Sequence, residues 1–212
     1  MPAITLPSGC QVEDPGSRLL AFCREEYAYY DAIPSADPNR VEPVDVLATV
    51  SVNSFLTNAT AIRNVHRGLS SGCDQILELI PEDADLLAED IQLGDVRTLL
   101  HAAVQARGVL VPVATKVLHR KRPMLIPILN NVVLAHYLGT TPSRLPAKTQ
   151  DAHRAADAAI EVLARFRTDL RAVRPEIEAL ESFLATHGYR LSLVRILEIL
   201  LWTQVEQQGY YR

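Results

Sequence analysis

Apolar residues recur at helical spacing along most of this chain. Residues 17–30, 44–55 and 94–106 each carry apolar side chains three or four positions apart, which is typical of one face of an α-helix. Residues 191–206 are apolar nearly all round, and this predicts a helix buried in the centre of the molecule. The pattern predicts an all-α fold, a single globular helical domain of roughly eight to ten helices.

Helix-start and helix-stop residues divide this pattern into elements. Pro43 suits the first turn of the helix over 44–55, and Pro175 opens a helix that ends near Gly188. Gly108 is predicted to end the helix over 94–106. Residues 109–113 are apolar and β-branched, but no second strand is evident to pair with them, so they are predicted to turn into the next helix.

Three further stretches carry weaker signals. Ser70 or Ser71, just after Gly68, is predicted to cap a helix, and residues 81–85 resemble a helix start with acids in its first turn. Residues 140–146 are predicted to be a loop, and residues 148–171 an Ala-rich helix. Within the single domain, 1–212, the expected parts are an N-terminal helix and link (1–43), a helical half (44–110), a basic corner (111–138) and C-terminal helices (147–208).

Length and composition exclude several classes of protein. The chain has 212 residues, of which 48% are hydrophobic, so it can bury a sizeable core. Three cysteines show neither paired spacing nor zinc-ligand spacing, and the chain has no phosphate-binding glycine loop, dinucleotide turn or serine-hydrolase elbow. We therefore expect no cofactor and no metal. There is no signal-peptide pattern and no membrane-spanning run, so we expect a cytoplasmic protein with no membrane partner.

The charges are unevenly distributed although the formal net charge is only −4. Residues 74–95 hold eight carboxylates and no Lys or Arg, whereas residues 96–150 hold no Asp or Glu at all. One interpretation is two oppositely charged solvated faces; the other is a polyanion-binding surface. The basic residues concentrate at one helix end, which we term the cationic corner: Lys116, His119, Arg120, Lys121 and Arg122.

Four segments resemble an uncharacterised bacterial domain family of the actinobacterial kind. They are residues 30–34, 43–48 and 116–130, and residues 195–198 leading to Leu201 and Trp202. This resemblance covers most of the chain and implies no activity.

A second resemblance is to the helix-hairpin-helix DNA glycosylases. Thr115-Lys116-Val117 is similar to the helix entry after that family's hairpin, and Pro127-Ile128-Leu129-Asn130 is similar to the segment that delivers its catalytic aspartate. The resemblance implies a helix-hairpin-helix glycosylase-like fold, phosphates held by the hairpin and a flipped base in a pocket between helices. The residues expected to contact nucleic acid are Lys116, His119, Arg120, Lys121, Arg122 and Arg107.

Asn130 stands where the resemblance implies an aspartate, and an amide cannot supply negative charge or deprotonate a water. The candidate catalytic residues are therefore Asn130 together with three carboxylates outside the acid-free segment, Asp31, Asp45 and Glu198. Each carboxylate also has a structural interpretation: Asp31 as a turn cap, Asp45 as a partner of the helix dipole, and Glu198 as an ion-pair partner of Arg195.

The sequence thus predicts a DNA-binding protein, possessing or having lost a base-excision activity on a modified or damaged base. The alternative is a non-catalytic helical interaction module, a regulatory or defence-associated subunit whose basic corner binds an acidic partner. The histidines at 66, 101, 119 and 136 are not spaced as a metal-binding set.

Overall fold

The computed structural model describes residues 2–54, 56–140 and 152–207. Within these ranges it contains nine α-helices and one hairpin of two short antiparallel strands, so the predicted all-α fold class is confirmed. The elements are β1 (Ile4–Thr5), β2 (Gln11–Val12), α1 (Pro15–Glu26), α2 (Pro43–Ser51), α3 (Ala59–Leu77), α4 (Leu93–Gln105), α5 (Val111–Lys121), α6 (Asn131–Leu138), α7 (Ala152–Ala172), α8 (Arg174–Thr186) and α9 (Leu193–Gln207).

The N-terminal hairpin has no counterpart among the predicted elements. Ile4 pairs with Val12 and Thr5 with Gln11 across a turn in which Gly9 has a φ of +87°. Strands of two residues are too short to show an alternating pattern, which is why the sequence did not predict them.

Helix α3 runs through the position where a break was predicted. Gly68 lies in the middle of the helix, so the predicted cap at Ser70 or Ser71 is wrong; the N-cap is Asn58, whose side chain accepts a hydrogen bond from the Ala61 amide. A Cβ on Gly68 would lie 2.6 Å from the Cβ of Ala106. The glycine therefore permits close packing of α3 against the end of α4 and does not stop a helix.

Residues 81–92 form turns, so the helix start predicted at 81–85 is wrong. The Leu86 amide donates a 3.0 Å hydrogen bond to the carbonyl oxygen of Met124, whereas a helix would direct it to residue 82. Ala84 and Leu86 are buried. Burial of these two side chains and a long-range backbone bond thus outweigh the favourable helix-start composition.

Helix α9 lies at the centre of the core, as its apolar surface predicted. Its residues Ile196, Leu197 and Leu200 are fully buried, and it packs on α1, α6 and α8. Burial of each such side chain stabilises the fold by roughly 1.5–3 kcal/mol. This packing brings the first turns of α9 next to the end of α5 and the start of α6, where the candidate site lies.

The other predicted helices are found with small shifts at their ends. Pro43 is the first residue of α2, residues 109–113 do turn into α5, and Pro175 lies in the first turn of α8. Residues 141–146 of the predicted loop and the first residues of the predicted 148–171 helix lie outside the described residues. In the part of the chain that the structure describes, no helix is long and apolar enough to cross a bilayer.

Candidate functional site

The cationic corner lies mostly in the interior of the protein. Lys116, His119, Lys121 and Arg122 are 6%, 4%, 1% and 0% exposed, and the Arg120 side chain is 4% exposed. The interpretation of these side chains as part of an exposed, polyanion-binding surface is therefore wrong. Contact with DNA phosphates through them stays a prediction without support from their positions.

Arg122 holds backbone carbonyls of another part of the chain. Its guanidinium donates to the carbonyl oxygens of Leu77 at 2.5 Å, Ile80 at 2.6 Å and Pro38 at 2.7 Å. These hydrogen bonds join Arg122 to the C-terminal end of α3 and to the segment that precedes α2. Burial lowers the pKa of Arg122, yet an arginine remains charged at neutral pH. Arg122 therefore has a structural role in this geometry.

Arg120 and Lys121 converge on Asp45, a fully buried carboxylate in the first turn of α2. Arg120 Nε lies 3.0 Å from Asp45 Oδ1, and Lys121 forms a salt bridge with Oδ2. Asp45 Oδ2 also accepts a 2.9 Å hydrogen bond from the Glu42 amide, which completes a capping box at the helix start. Asp45 is 0% exposed and pairs with two cations as well as its own helix start, so the geometry favours the structural interpretation of Asp45 over the catalytic one.

A second ionic cluster surrounds Arg195 in the first turn of α9. Its guanidinium donates to both oxygens of Asp31, from Nε at 2.9 Å and from Nη2 at 3.2 Å. Its Nη1 forms a salt bridge with Glu198, which confirms the predicted pair between these two residues. Two of the three candidate carboxylates thus share one buried guanidinium.

Asn130 links this cluster to the start of α6. Its Oδ1 accepts hydrogen bonds from the amides of Val132 at 2.9 Å and Val133 at 3.0 Å, so it is the N-cap of the helix. Its Nδ2 consequently points the other way and donates to Glu198 Oε1 at 3.2 Å. The amide at position 130 therefore joins a helix start to a carboxylate, a position in which a second carboxylate would be repelled.

Lys116 is the second cation near Glu198. Burial lowers the pKa of its ammonium group from 10.5 to about 8, while the charge of Glu198 acts in the opposite direction. No described residue forms a hydrogen bond or salt bridge with this ammonium group. Burial raises the pKa of Glu198, and Arg195 offsets only part of that shift. Perturbed pKa values of this kind concentrate at functional sites.

Tyr30 and His119 form the aromatic part of the cluster. The guanidinium carbons of Arg120 and Arg195 lie 5.6 and 5.2 Å from the Tyr30 ring centroid, and the tyrosine hydroxyl donates to the Lys116 carbonyl oxygen at 2.5 Å. His119 Nδ1 donates to the carbonyl oxygen of Ile126 at 2.7 Å. Burial lowers the pKa of His119 to about 4, so its imidazole is neutral at physiological pH.

A cleft of about 430 Å³ opens beside these residues. Asp31, His119 and Arg195 line it, whereas Glu198 lies behind Arg195 and is 1% exposed. Arg190, which is exposed, stands at the cleft together with Glu181 of α8. Asp31 and Arg195 form part of the cleft wall, where their side chains are 5% and 4% exposed.

The structure brings five sequence-predicted residues together and separates others from them. The cluster around Arg195 contains Asp31, Lys116, His119, Asn130 and Glu198. Asp45, Lys121 and Arg122 make contacts of their own, and Arg107 lies exposed in the turn between α4 and α5. No sequence signal linked Asp31 to Arg195, 164 positions away. Among the described residues, no three His, Cys, Asp or Glu side chains are grouped to hold a metal ion.

Comparison with known proteins gives one match. Neither the curated proteins nor the solved structures contain a match to this chain. A family model described as a family of unknown function (DUF6308) covers residues 22–205, a range that includes every residue of the Arg195 cluster and leaves out the N-terminal hairpin. The chain therefore belongs to DUF6308, a family of unknown function.

Proposed function

We propose that this chain is a DNA-binding protein that hydrolyses the N-glycosidic bond of a modified or damaged base held in the cleft beside Arg195. The observation that carries the proposal is the hydrogen bond from Asn130 to Glu198. It ties the helix start where glycosylase-like sequences carry an aspartate to the Arg195 cluster, and so to Asp31, a carboxylate that lines the cleft.

Hydrolysis of the N-glycosidic bond depends on a carboxylate. The bond between the sugar C1′ and the base nitrogen breaks, the base takes the electron pair and a proton, and a water oxygen bonds to C1′. A carboxylate stabilises the cationic sugar or accepts the proton of the water. Of the three candidate carboxylates, Asp31 lines the cleft, and Glu198 lies on the other side of the Arg195 guanidinium. Asp31 is thus assigned contact with the substrate, and Glu198 the positioning of Arg195 and Asn130.

Arginines outside the cationic corner are assigned to contact the DNA backbone. Arg107 is exposed in the turn over 106–110 between α4 and α5, where Gly108 has a φ of +80°. This helix–turn–helix connection supports the proposed hairpin role. Arg67 is exposed just before Gly68, which packs on Ala106, so Arg67 and Arg107 belong to adjoining parts of the backbone.

Duplexes carrying single damaged or modified bases provide the catalytic test, with abasic-site formation as the readout. Wild-type protein should release one base class. Asp31→Asn should lower the single-turnover rate by on the order of 100-fold or more, because it removes a carboxylate charge from the cleft wall. Arg40→Ala, a change in an exposed surface pair, is the matched control. Full activity in Asp31→Asn, or no product from any duplex, would contradict the proposal.

DNA binding itself is tested by its salt dependence. Arg107→Glu should weaken binding to all sequences alike and reduce the slope of log K against log salt by about one or more, since a phosphate contact releases a counterion. Arg40→Glu should leave the slope unchanged. The proposal fails at this step if wild-type protein does not bind duplex DNA at low salt.

One observation favours the second candidate, a non-catalytic interaction module. Tyr29, Leu47 and Val50 are 63%, 51% and 42% exposed, and Ser51 Oγ donates to the Tyr29 carbonyl oxygen at 3.0 Å, which joins the two segments that carry them. The acidic-partner version of this candidate loses support, because the cationic corner is internal. An interaction module would form no abasic sites, and its DNA affinity would not respond to Arg107→Glu.

A further inference from the structure

A second polar cavity, of about 610 Å³, lies where α7 ends and α8 begins. Arg167 and Arg171, one helical turn apart on α7, line it together with Arg174 at the start of α8. Leu87 and Glu89 from the turns before α4 complete the lining. None of these residues belongs to the Arg195 cluster or to its cleft.

Two of the three arginines form no salt bridge with an acid in the part of the chain that the structure describes. Arg174 pairs with Glu178, with a distance of 2.6 Å between Nε and Oε1. Arg167 and Arg171 form no salt bridge with any carboxylate that the structure describes. They donate only to backbone carbonyls, Arg167 to Ala88 and Arg171 to Leu87 at the long distance of 3.5 Å.

Arg167 also has an unsatisfied donor. Its Nε is buried and has no hydrogen-bond partner in the part of the chain that is described. The pKa of Arg167 is lowered, first by desolvation and then by the positive charge of Arg171, and the negative charge of Asp85 offsets only part of that shift. The guanidinium groups of Arg167 and Arg171 therefore repel each other, and an anion between them would relieve that repulsion.

We propose that this cavity binds a phosphoryl group, through the guanidinium groups of Arg167 and Arg171. Tetrahedral oxyanions match the fork of arginine donors and would place negative charge between the two guanidinium groups. Glu89 also lines the cavity. The anion therefore lies on the α7 side, away from that carboxylate.

The cavity and the cleft lie on segments that contact each other. Leu86, next to Leu87, donates its amide hydrogen to Met124, and Pro123 lines the cleft. A phosphate of DNA whose base enters the cleft is one source of the phosphoryl group, and a free phosphate compound is the other. The inference does not require the proposed function, because inorganic phosphate alone tests it.

The experiment measures binding of inorganic phosphate to the full chain by titration calorimetry and by the thermal midpoint, at constant ionic strength with chloride as the reference. Phosphate should raise the midpoint of wild-type protein. Arg171→Gln, a change at an exposed position, should weaken phosphate binding at least tenfold. Arg165→Gln on the same helix, an exposed arginine that pairs with Glu161, is the matched control and should bind like wild type.

Equal phosphate binding in wild type and Arg171→Gln, or no binding of phosphate by wild type, would overturn the proposal. A nucleoside 5′-monophosphate and its unphosphorylated nucleoside separate the two sources. Binding of the monophosphate alone, sensitive to Arg171→Gln, supports a free phosphate compound. Tighter binding of duplex DNA with the same sensitivity supports a backbone phosphate.

Discussion

Asp31 accepts two hydrogen bonds from Arg195, at 2.9 and 3.2 Å, and both side chains are buried. Arg195→Ala would leave Asp31 and Glu198 as buried carboxylates without their cation. We expect it to lower the free energy of unfolding by about 3–5 kcal/mol, the range for removal of one partner of a buried ion pair. Urea denaturation followed by circular dichroism measures this change.

The exposed pair of Arg40 and Asp37 is the control for that experiment. Arg40→Ala should change the free energy of unfolding by about 1 kcal/mol or less, because surface ion pairs contribute little. Similar losses in the two variants would show that the Arg195 cluster is not a buried ionic centre.

His119 should make the protein less stable in acid. The pKa of its imidazole is lowered from 6.5 to about 4 by burial and by the charge of Arg195, so between these values the unfolded chain binds more protons than the folded protein. The stability from neutral His119 is therefore present above pH 6.5 and is lost as the pH falls through about 4. The shift corresponds to on the order of 3 kcal/mol.

His119→Asn tests that expectation, because the asparagine amide keeps a donor for the Ile126 carbonyl oxygen. The variant should be less stable than wild type at pH 7, and the difference should shrink as the pH is lowered to 4. A difference that is constant across this range would refute the titration of His119.

Two glycines should respond to alanine in opposite directions. Gly68→Ala would put a Cβ 2.6 Å from that of Ala106, and we expect a loss of about 1–3 kcal/mol in the free energy of unfolding. Gly94, in the first turn of α4, has open space around the Cβ position, so Gly94→Ala should stabilise by up to about 1 kcal/mol. Thermal unfolding of both variants checks the signs; stabilisation by Gly68→Ala would exclude the close helix contact.

The three thiols should be unreactive in the folded protein. Cys10, Cys23 and Cys73 are buried, and burial raises the pKa of each, to about 11 for Cys23 and about 12 for Cys73. The thiolate is the reactive form, so an aromatic disulfide reagent should label none of them rapidly at pH 8 and all of them after denaturation. Rapid labelling of Cys73 under native conditions would contradict its placement in the core.

Asn130→Asp should preserve the cap of α6 but place a second carboxylate against Glu198. Two carboxylates that share a site raise the pKa of one of them, so the variant should lose stability relative to wild type as the pH rises from 5 to 8. We expect a difference of about 1–3 kcal/mol at pH 8. Chemical denaturation at both pH values measures it, and a variant equally stable at both would show that Asn130 and Glu198 are not in contact.

Local signals predicted most of the helices, whereas the contacts of the charged residues were not predictable. Pro43 starts a helix through its effect on a single turn, and the apolar surface of α9 lies within one helix. Both features could therefore be predicted from the sequence alone. The function of Gly68 depends on Ala106, a residue of another helix. Because residues 96–150 contain no Asp or Glu, the sequence predicts that their basic side chains are free to bind a ligand. In the structure, Arg120 and Lys121 bind Asp45 of α2, and Arg122 binds carbonyls from residues 38, 77 and 80.

The pairing of Asp31 with Arg195 also constrains how the protein is made. Their separation of 164 positions means that, at about 5–20 residues per second, roughly 10–30 s of synthesis separates the appearance of the carboxylate from that of its guanidinium. During that interval Asp31 has no Arg195 to pair with, and the core lacks α9, its central helix. Completion of the fold therefore waits until α9 has been synthesised and has left the ribosome.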